Sequence, residues 1–277
     1  MIIDTHTHLG SDDLVTYPRG DASPIHTGDY TNTAEAFLDL MDAAGVDGAL
    51  VVQAFGIYGF NNAYHADSAK RFPERFVGVA GLSPTLPDAP GLLRYWVQER
   101  GMAGVRLSYW GPGPGVQPED PEILELLQEA ERLGVPVLFL TTRKNLAAIR
   151  ILARRFSRLN IAVDHLGVGL GDPGRVESDV LALADTENLF LKFSTPILAA
   201  DEPHRSFFKR VVERFGVERL MWGSDFPHTN IDGYPSMVAL AKSALSFLNA
   251  GERERVFSGT ALEIWPHLKS ARISAAA

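Results

Sequence analysis

Short apolar runs alternate with longer amphipathic stretches along the whole chain. Runs too short to make a helix and bounded by turn residues read as strands, and stretches with apolar residues at three- and four-residue spacing read as helices. The strands expected are Ile2 to His6, Gly48 to Gln53, Phe76 to Leu82, Ala103 to Leu107, Val135 to Leu140, Ile161 to His165, Leu189 to Phe193 and Leu220 to Gly223. Between them the pattern predicts helices over Thr33–Ala44, Asn61–Arg71, from Asp88 to Gly101, over Glu119–Leu133 (closed by Gly134), over Lys144–Phe156, up to Phe215 and over Pro235–Leu248. A last short helix is expected near Glu252–Trp265, followed by a frayed tail at about 270–277.

Strands that are apolar throughout are buried on both faces, which is the signature of a parallel sheet covered by helices. Eight such βα units in 277 residues fit a single (β/α)8 barrel spanning residues 1–277 as one domain. A doubly wound open sheet is the competing arrangement. No linker, repeat or low-complexity tract breaks the alternation. A formal net charge of −8 argues against nucleic acid and anionic membranes as partners. With no cysteine, thiolate catalysis, disulfides and thiolate-bound metal are excluded. Without a signal-like or membrane-spanning stretch, the expected location is cytoplasmic.

A barrel places its chemistry at the C-terminal ends of its strands, and polar residues collect at those ends here. His6 and His8 close strand one, two apart and therefore on one face, with Asp4 expected on that face one layer deeper. Gln53 closes strand two, Arg106 stands late in strand four, and His165 closes strand six. Asp225 follows strand eight in Trp222-Gly223-Ser224-Asp225-Phe226-Pro227-His228. Closure of the barrel makes strand eight the neighbour of strand one, so Asp225 is expected beside His6 and His8. Converging imidazoles suit a metal or a proton relay. Each residue alone also has an ordinary structural explanation, as a turn, a cap or an ion-pair partner.

The motifs Asp4-Thr5-His6-Thr7-His8, Val163-Asp164-His165-Leu166-Gly167 and Trp222 to His228 resemble the signatures of the amidohydrolase superfamily. The likeness is to its amidohydrolase-related branch of lactonases and decarboxylases. Gly45-Val46-Asp47, Val51-Val52-Gln53, Asn61-Asn62, Gly101 to Arg106, Lys192-Phe193-Ser194 and Ser258 to Ala261 resemble the lactonases of that branch, those acting on 2-pyrone-4,6-dicarboxylate, sugar lactones and sulfomuconolactone. The resemblance implies a hydrolase opening a lactone or related cyclic ester of a small carboxylated, anionic molecule. Asp225 would be the general base on water, His165 with His6 and His8 would polarise the carbonyl, and Arg106 would hold a substrate carboxylate. Arg143, Tyr17, Gln53, Trp110 and His228 are further candidates for the pocket, with Tyr30 as another loop aromatic.

Two departures bear on metal. The strand-five position that carries a metal-binding His in many relatives reads Leu138-Phe139-Leu140-Thr141-Thr142, and the bridging residue of dinuclear members is replaced by Arg106, which cannot ligate a cation. The dicarboxylate lactonases this chain resembles act without metal. The expectation is therefore either no cofactor or one divalent metal, Zn²⁺ or Mn²⁺, on His6, His8 and Asp225. A mononuclear metal-dependent decarboxylase of an aromatic or enoic acid and a non-catalytic small-molecule binding barrel stay open as alternatives, as does a homodimer. Gly169 to Gly174 matches a dinucleotide fingerprint, but the next strand ends Lys192-Phe193-Ser194 without the acid such a site needs. His65, Lys192, His204 and His267 read as structural or surface groups.

Overall fold

The computed structural model describes residues 1–20, 31–109, 115–167, 177–199 and 204–270. Eight parallel strands run in sequential order: β1 Ile3–Thr7, β2 Gly48–Val52, β3 Phe76–Leu82, β4 Val105–Ser108, β5 Val137–Leu140, β6 Ile161–Val163, β7 Leu189–Ser194 and β8 Leu220–Gly223. Each pairs in parallel with the next. The ring is drawn together where the chain leaves β8. Asp225 N–H donates to His6 O at 2.8 Å, His8 N–H donates to Phe226 O at 2.9 Å, and Thr7 bridges Phe226. The eight-unit barrel expected from the alternating pattern is the architecture observed.

Helices fill the connections where the amphipathic stretches lie: α1 Ala34–Ala44, α2 Phe55–Tyr58, α3 Ala63–Arg71, α4 Ala89–Arg94, α5 Pro121–Leu133, α6 Leu146–Arg155, α7 Glu177–Leu181, α8 Thr195–Ala199, α9 His204–Phe215, α10 Tyr234–Ala244, α11 Ala250–Glu254 and α12 Thr260–Ile264. Their ends follow local chemistry. The Thr33 hydroxyl accepts from Ala36 N–H to cap α1, and Gly45 stops that helix in the left-handed conformation at φ 68°. The stretch expected as one helix from Asp88 to Gly101 starts as α4 and widens to π-helix over Tyr95–Glu99. The expected last helix is likewise interrupted, with π-helix over Arg255–Gly259 between α11 and α12.

Alternation along the strands divides the core into two layers. Outward residues such as Val51, Leu107, Phe139, Val163, Leu191 and Trp222 pack against the helices. Inward residues Ile3, Leu50, Val52, Val77, Val79, Leu138 and Met221 fill the N-terminal half of the barrel, plugged by Trp265 and Leu268. That half is apolar and closed, so polar chemistry is confined to the opposite end. Among the described residues, no helix is long and apolar enough to cross a membrane.

One register detail overturns an expectation. The β1–β2 pairing slips between Asp4 and Thr7, as at a β-bulge, so parity does not carry through the strand. Asp4 does not lie below His6 in the interior. Its carboxylate takes Ser224 N–H at 2.8 Å and His6 N–H at 3.1 Å, and the Tyr234 hydroxyl of α10 donates to it at 2.9 Å. Burial pushes its pKa up to about 6. Asp4 is a rivet between β1, the turn after β8 and the helical layer.

Candidate active site at the barrel mouth

Each strand end delivers its polar residue differently. His6 lies in β1 and His8 just beyond it, both buried. His165 is not in extended conformation. β6 ends at Val163, and the turn Asp164–Gly167 carries His165 at φ 52° and Leu166 at φ 55°, both left-handed. Asp225 is also left-handed, at φ 66°. Non-glycine residues in this region cost energy and persist only where the surroundings hold them, which is common at functional sites. β8 reaches β1 closely because position 223 is glycine, as a Cβ there would lie 2.6 Å from His6 Cβ and 2.8 Å from His6 N.

The outcome is a convergence on one atom. Asp225 Oδ1 lies 3.7 Å from His6 Nε2, 3.8 Å from His8 Nε2 and 3.8 Å from His165 Nε2. The other carboxylate oxygen accepts from the Thr229 hydroxyl at 2.9 Å. Behind the rings, the far nitrogens are also engaged. His8 Nδ1 is 2.8 Å from Val52 O; a carbonyl only accepts, so Nδ1 carries the hydrogen and Nε2 turns its lone pair to the site. His165 Nδ1 sits 3.1 Å from Ser194 Oγ, and His6 Nδ1 faces Asp164 Oδ1 at 3.4 Å. His228 packs edge-on against His8 at 4.3 Å between ring centroids.

Below this cluster lies a buried ionic layer. Arg106 Nε donates to Asp164 Oδ2 at 2.9 Å, and its Nη2 is 3.5 Å from His6 Nε2. Lys192, inward on β7, donates to Thr5 O at 2.7 Å and stands 3.7 Å from Asp164 Oδ1. Burial opposes the charge of Asp164, but the contact with the His6 ring and the positive charges of Lys192 and Arg106 outweigh that and hold its carboxyl well below the usual range. Burial lowers Lys192 to about 8 against the pull of Asp164. His6 and His8 are pushed well below the ordinary imidazole value, chiefly by burial, and are neutral near pH 7. Burial raises Asp225, opposed first by His165.

One ring nitrogen each of His6 and His8 and a carboxylate oxygen of Asp225 lie within 4.8 Å of one another and form a group able to hold a metal ion. His8 Nε2 is buried with no hydrogen-bond partner. Two imidazoles and a carboxylate oxygen that converge in a buried site are the residue types that hold a cation. The donor set fits one divalent ion.

Of the expected site residues, Asp225, His6, His8, His165, Arg106 and His228 come together. Three others make different contacts. Gln53 is buried, with its amide donating to Gly59 O of the loop after α2. The Tyr17 hydroxyl donates to Asp67 Oδ2 at 3.0 Å and its ring packs on Tyr64. Arg143 is half-exposed and pairs with Asp179 of α7 at 2.5 Å. Trp110, Tyr30, the glycine run Gly169 to Gly174 and the tail beyond 270 lie outside the described residues. Asp164, beside His165 in the same motif, and Lys192, expected as a structural or surface group, join the site as well. The readable signal was an inward-parity lysine on an otherwise apolar strand, which in a barrel interior must face an acid.

The family model described as Amidohydrolase matches residues 3–267. An L-fucono-1,5-lactonase of Burkholderia ambifaria is 27% identical over 244 residues, covering 82% of each chain. A 4-sulfomuconolactone hydrolase of Hydrogenophaga intermedia is 25% identical over 91% of this chain and 84% of its own. Among solved structures, a probable 2-pyrone-4,6-dicarboxylic acid hydrolase from Acinetobacter baumannii with citric acid bound superposes with a TM-score of 0.79 over 96% of this chain and 99% of its own, at 22% identity. The chain belongs to the amidohydrolase family and is a hydrolytic enzyme.

Proposed function

We propose that this enzyme opens a lactone or related cyclic ester of a small carboxylated molecule by attack of water at the mouth of the barrel. The observation that carries the reading is the meeting of three imidazole Nε2 atoms, 3.7–3.8 Å away, on one oxygen of Asp225. Two curated relatives named for lactone hydrolysis add to it.

Asp225 Oδ1 receives the proton of the attacking water, while Thr229 on Oδ2 keeps the carboxylate from turning away. His165, seated on Ser194, presents Nε2 to the same spot and donates to the oxyanion that forms on the lactone carbonyl. The ring oxygen leaves as an alcohol once the proton taken by Asp225 is returned to it. His6 and His8 are neutral and point lone pairs inward, so by themselves they do not stabilise an oxyanion. With Asp225 they would hold one divalent cation, Zn²⁺ or Mn²⁺. A cation there supplies carbonyl polarisation and a more acidic water. Arg106, tethered to Asp164 by Nε, carries positive charge to the cluster and gives a substrate carboxylate a partner in a protein of net charge −8.

The test is turnover on a panel of carboxylated and sugar lactones, with and without chelator, for wild type and Asp225→Asn. The expected result is lactone opening that falls by about 10²–10⁴ in the variant, and that chelator lowers and added metal restores. Release of CO₂ from an aromatic acid with no lactone opened would overturn the reading. Full activity in Asp225→Asn would overturn the role of the carboxylate.

A further inference from the structure

The donor set at the barrel mouth works only if His6 presents a bare Nε2, and nothing in β1 itself determines which ring nitrogen carries the hydrogen. Two observations on opposite sides of the ring agree. On the Nε2 side stands Arg106 Nη2 at 3.5 Å, a group that can only donate. On the Nδ1 side stands Asp164 Oδ1 at 3.4 Å, an ionised oxygen that can only accept. Both His6 Nδ1 and Asp164 Oδ1 are buried without a formed hydrogen bond, and the 3.4 Å approach between them sets a carboxylate oxygen against that ring nitrogen. We propose that Asp164 is a positioning residue that holds His6 in the Nδ1–H tautomer, and that Arg106 and Lys192 hold Asp164 in place for that purpose.

The supporting geometry is built from four strands. Asp164 comes at the end of β6, Arg106 from β4, and Lys192 from β7, where its Nζ is pinned by Thr5 O of β1 at 2.7 Å and lies 5.7 Å from the Trp265 ring centroid. Arg106 thus holds Oδ2 of Asp164 by a hydrogen bond from Nε at 2.9 Å, while the Lys192 ammonium faces Oδ1 as an ion-pair partner at 3.7 Å. The hydrogen bond on Oδ2 and the cation beside Oδ1 favour the orientation that aims Oδ1 at the imidazole. Orienting a ring through its far nitrogen matters whether Nε2 receives a proton or binds a cation. His8 and His165 are oriented by a backbone carbonyl and a hydroxyl; among the three rings at Asp225, His6 alone is backed by a full negative charge.

The kinetic arm of the test rests on the lactonase reading, and the spectroscopic arm does not. Protein labelled with ¹⁵N-histidine and stripped of metal by chelator is examined by long-range ¹H–¹⁵N correlation at neutral pH, with His6 assigned by the signal lost in His6→Gln. The expected wild-type spectrum shows a neutral ring with the hydrogen on Nδ1. Asp164→Asn, which can turn an amide N–H toward Nδ1, shifts His6 toward the Nε2–H form. Lys192→Met, which leaves the carboxylate present, retains the Nδ1–H form in the larger share. For any lactone the wild type opens, Asp164→Asn lowers kcat about 10–100-fold, and any rise in KM, from loosening Arg106 on Asp164, is shared by substrates that carry a carboxylate and absent from those that do not. An Nε2–H tautomer in the wild type overturns the proposal without recourse to any variant. A folded Asp164→Asn with unchanged tautomer and unchanged kcat overturns it as well. Failure of every lactone, with the tautomer as expected, refutes the substrate reading and leaves the positioning role standing.

Discussion

Gly223→Ala tests whether the seam of the barrel determines the active site. Position 223 ends β8, where the chain crosses in front of His6. A Cβ added there meets His6 Cβ at 2.6 Å, His6 N at 2.8 Å and His6 Cα at 3.2 Å, so it strikes backbone that has no freedom to swing aside. Bringing the closest pair from 2.6 Å to an ordinary contact of 3.4 Å moves the two strands apart by about 0.8 Å. The bonds that draw the seam together, Asp225 N–H to His6 O at 2.8 Å and His8 N–H to Phe226 O at 2.9 Å, would lengthen beyond useful hydrogen-bonding distance. Overpacking of this kind costs about 1–3 kcal/mol. The same displacement carries Asp225 away from His6 and His8, and a misplacement near 1 Å costs about 10² in rate. Urea unfolding and lactone turnover read the two effects. Gly251→Ala in α11 is the control. Its added methyl meets nothing closer than 3.5 Å, and stability should stay level or rise by less than about 1 kcal/mol with activity unchanged. Wild-type stability and turnover in Gly223→Ala would refute the argument that close approach of β8 to β1 sets the site.

Two further outcomes follow from the buried polar groups. Burial holds His65 at about 3, and its Nε2 accepts from Leu9 N–H at 3.3 Å, so the folded protein binds it neutral while the unfolded chain protonates it below about 6.5. The unfolded state then carries the extra proton between about pH 6.5 and 3, and stability falls as pH drops through that window. His65→Gln should make the decline between pH 6 and 4 shallower by about 1.4 kcal/mol per pH unit in urea titrations, and parallel slopes would sink the assignment. Tyr234→Phe removes one of the donors to the buried Asp4 carboxylate and should cost about 1.5–3 kcal/mol at pH 7.5 with little change in kcat, measured by denaturation and turnover together. A stability unchanged within error would mean that Asp4 is not an essential rivet.

The amino-acid pattern by itself determined the architecture. Strand burial on both faces and helical spacing between strands are local properties, and they placed all eight strands, most of them within a residue or two of their observed limits. The meeting of Asp225 with His6 and His8 was legible for the same reason, because closing an eight-stranded ring leaves no other neighbour for β8. Geometry finer than that belonged to the tertiary structure. The slip in β1 turned Asp4 out of the interior, which period-two counting alone misses, since a bulge depends on what the neighbouring strands and Tyr234 demand. Tyr17, Gln53 and Arg143 found nearer partners in Asp67, Gly59 and Asp179, contacts that depend on loop paths no local rule specifies. The tautomers of His6 and His8 depend on Asp164 and Val52, tens to well over a hundred residues away in the chain. A sequence can state which groups will be at the mouth of the barrel; which nitrogen holds a hydrogen is decided only when strands from opposite ends of the chain lie side by side.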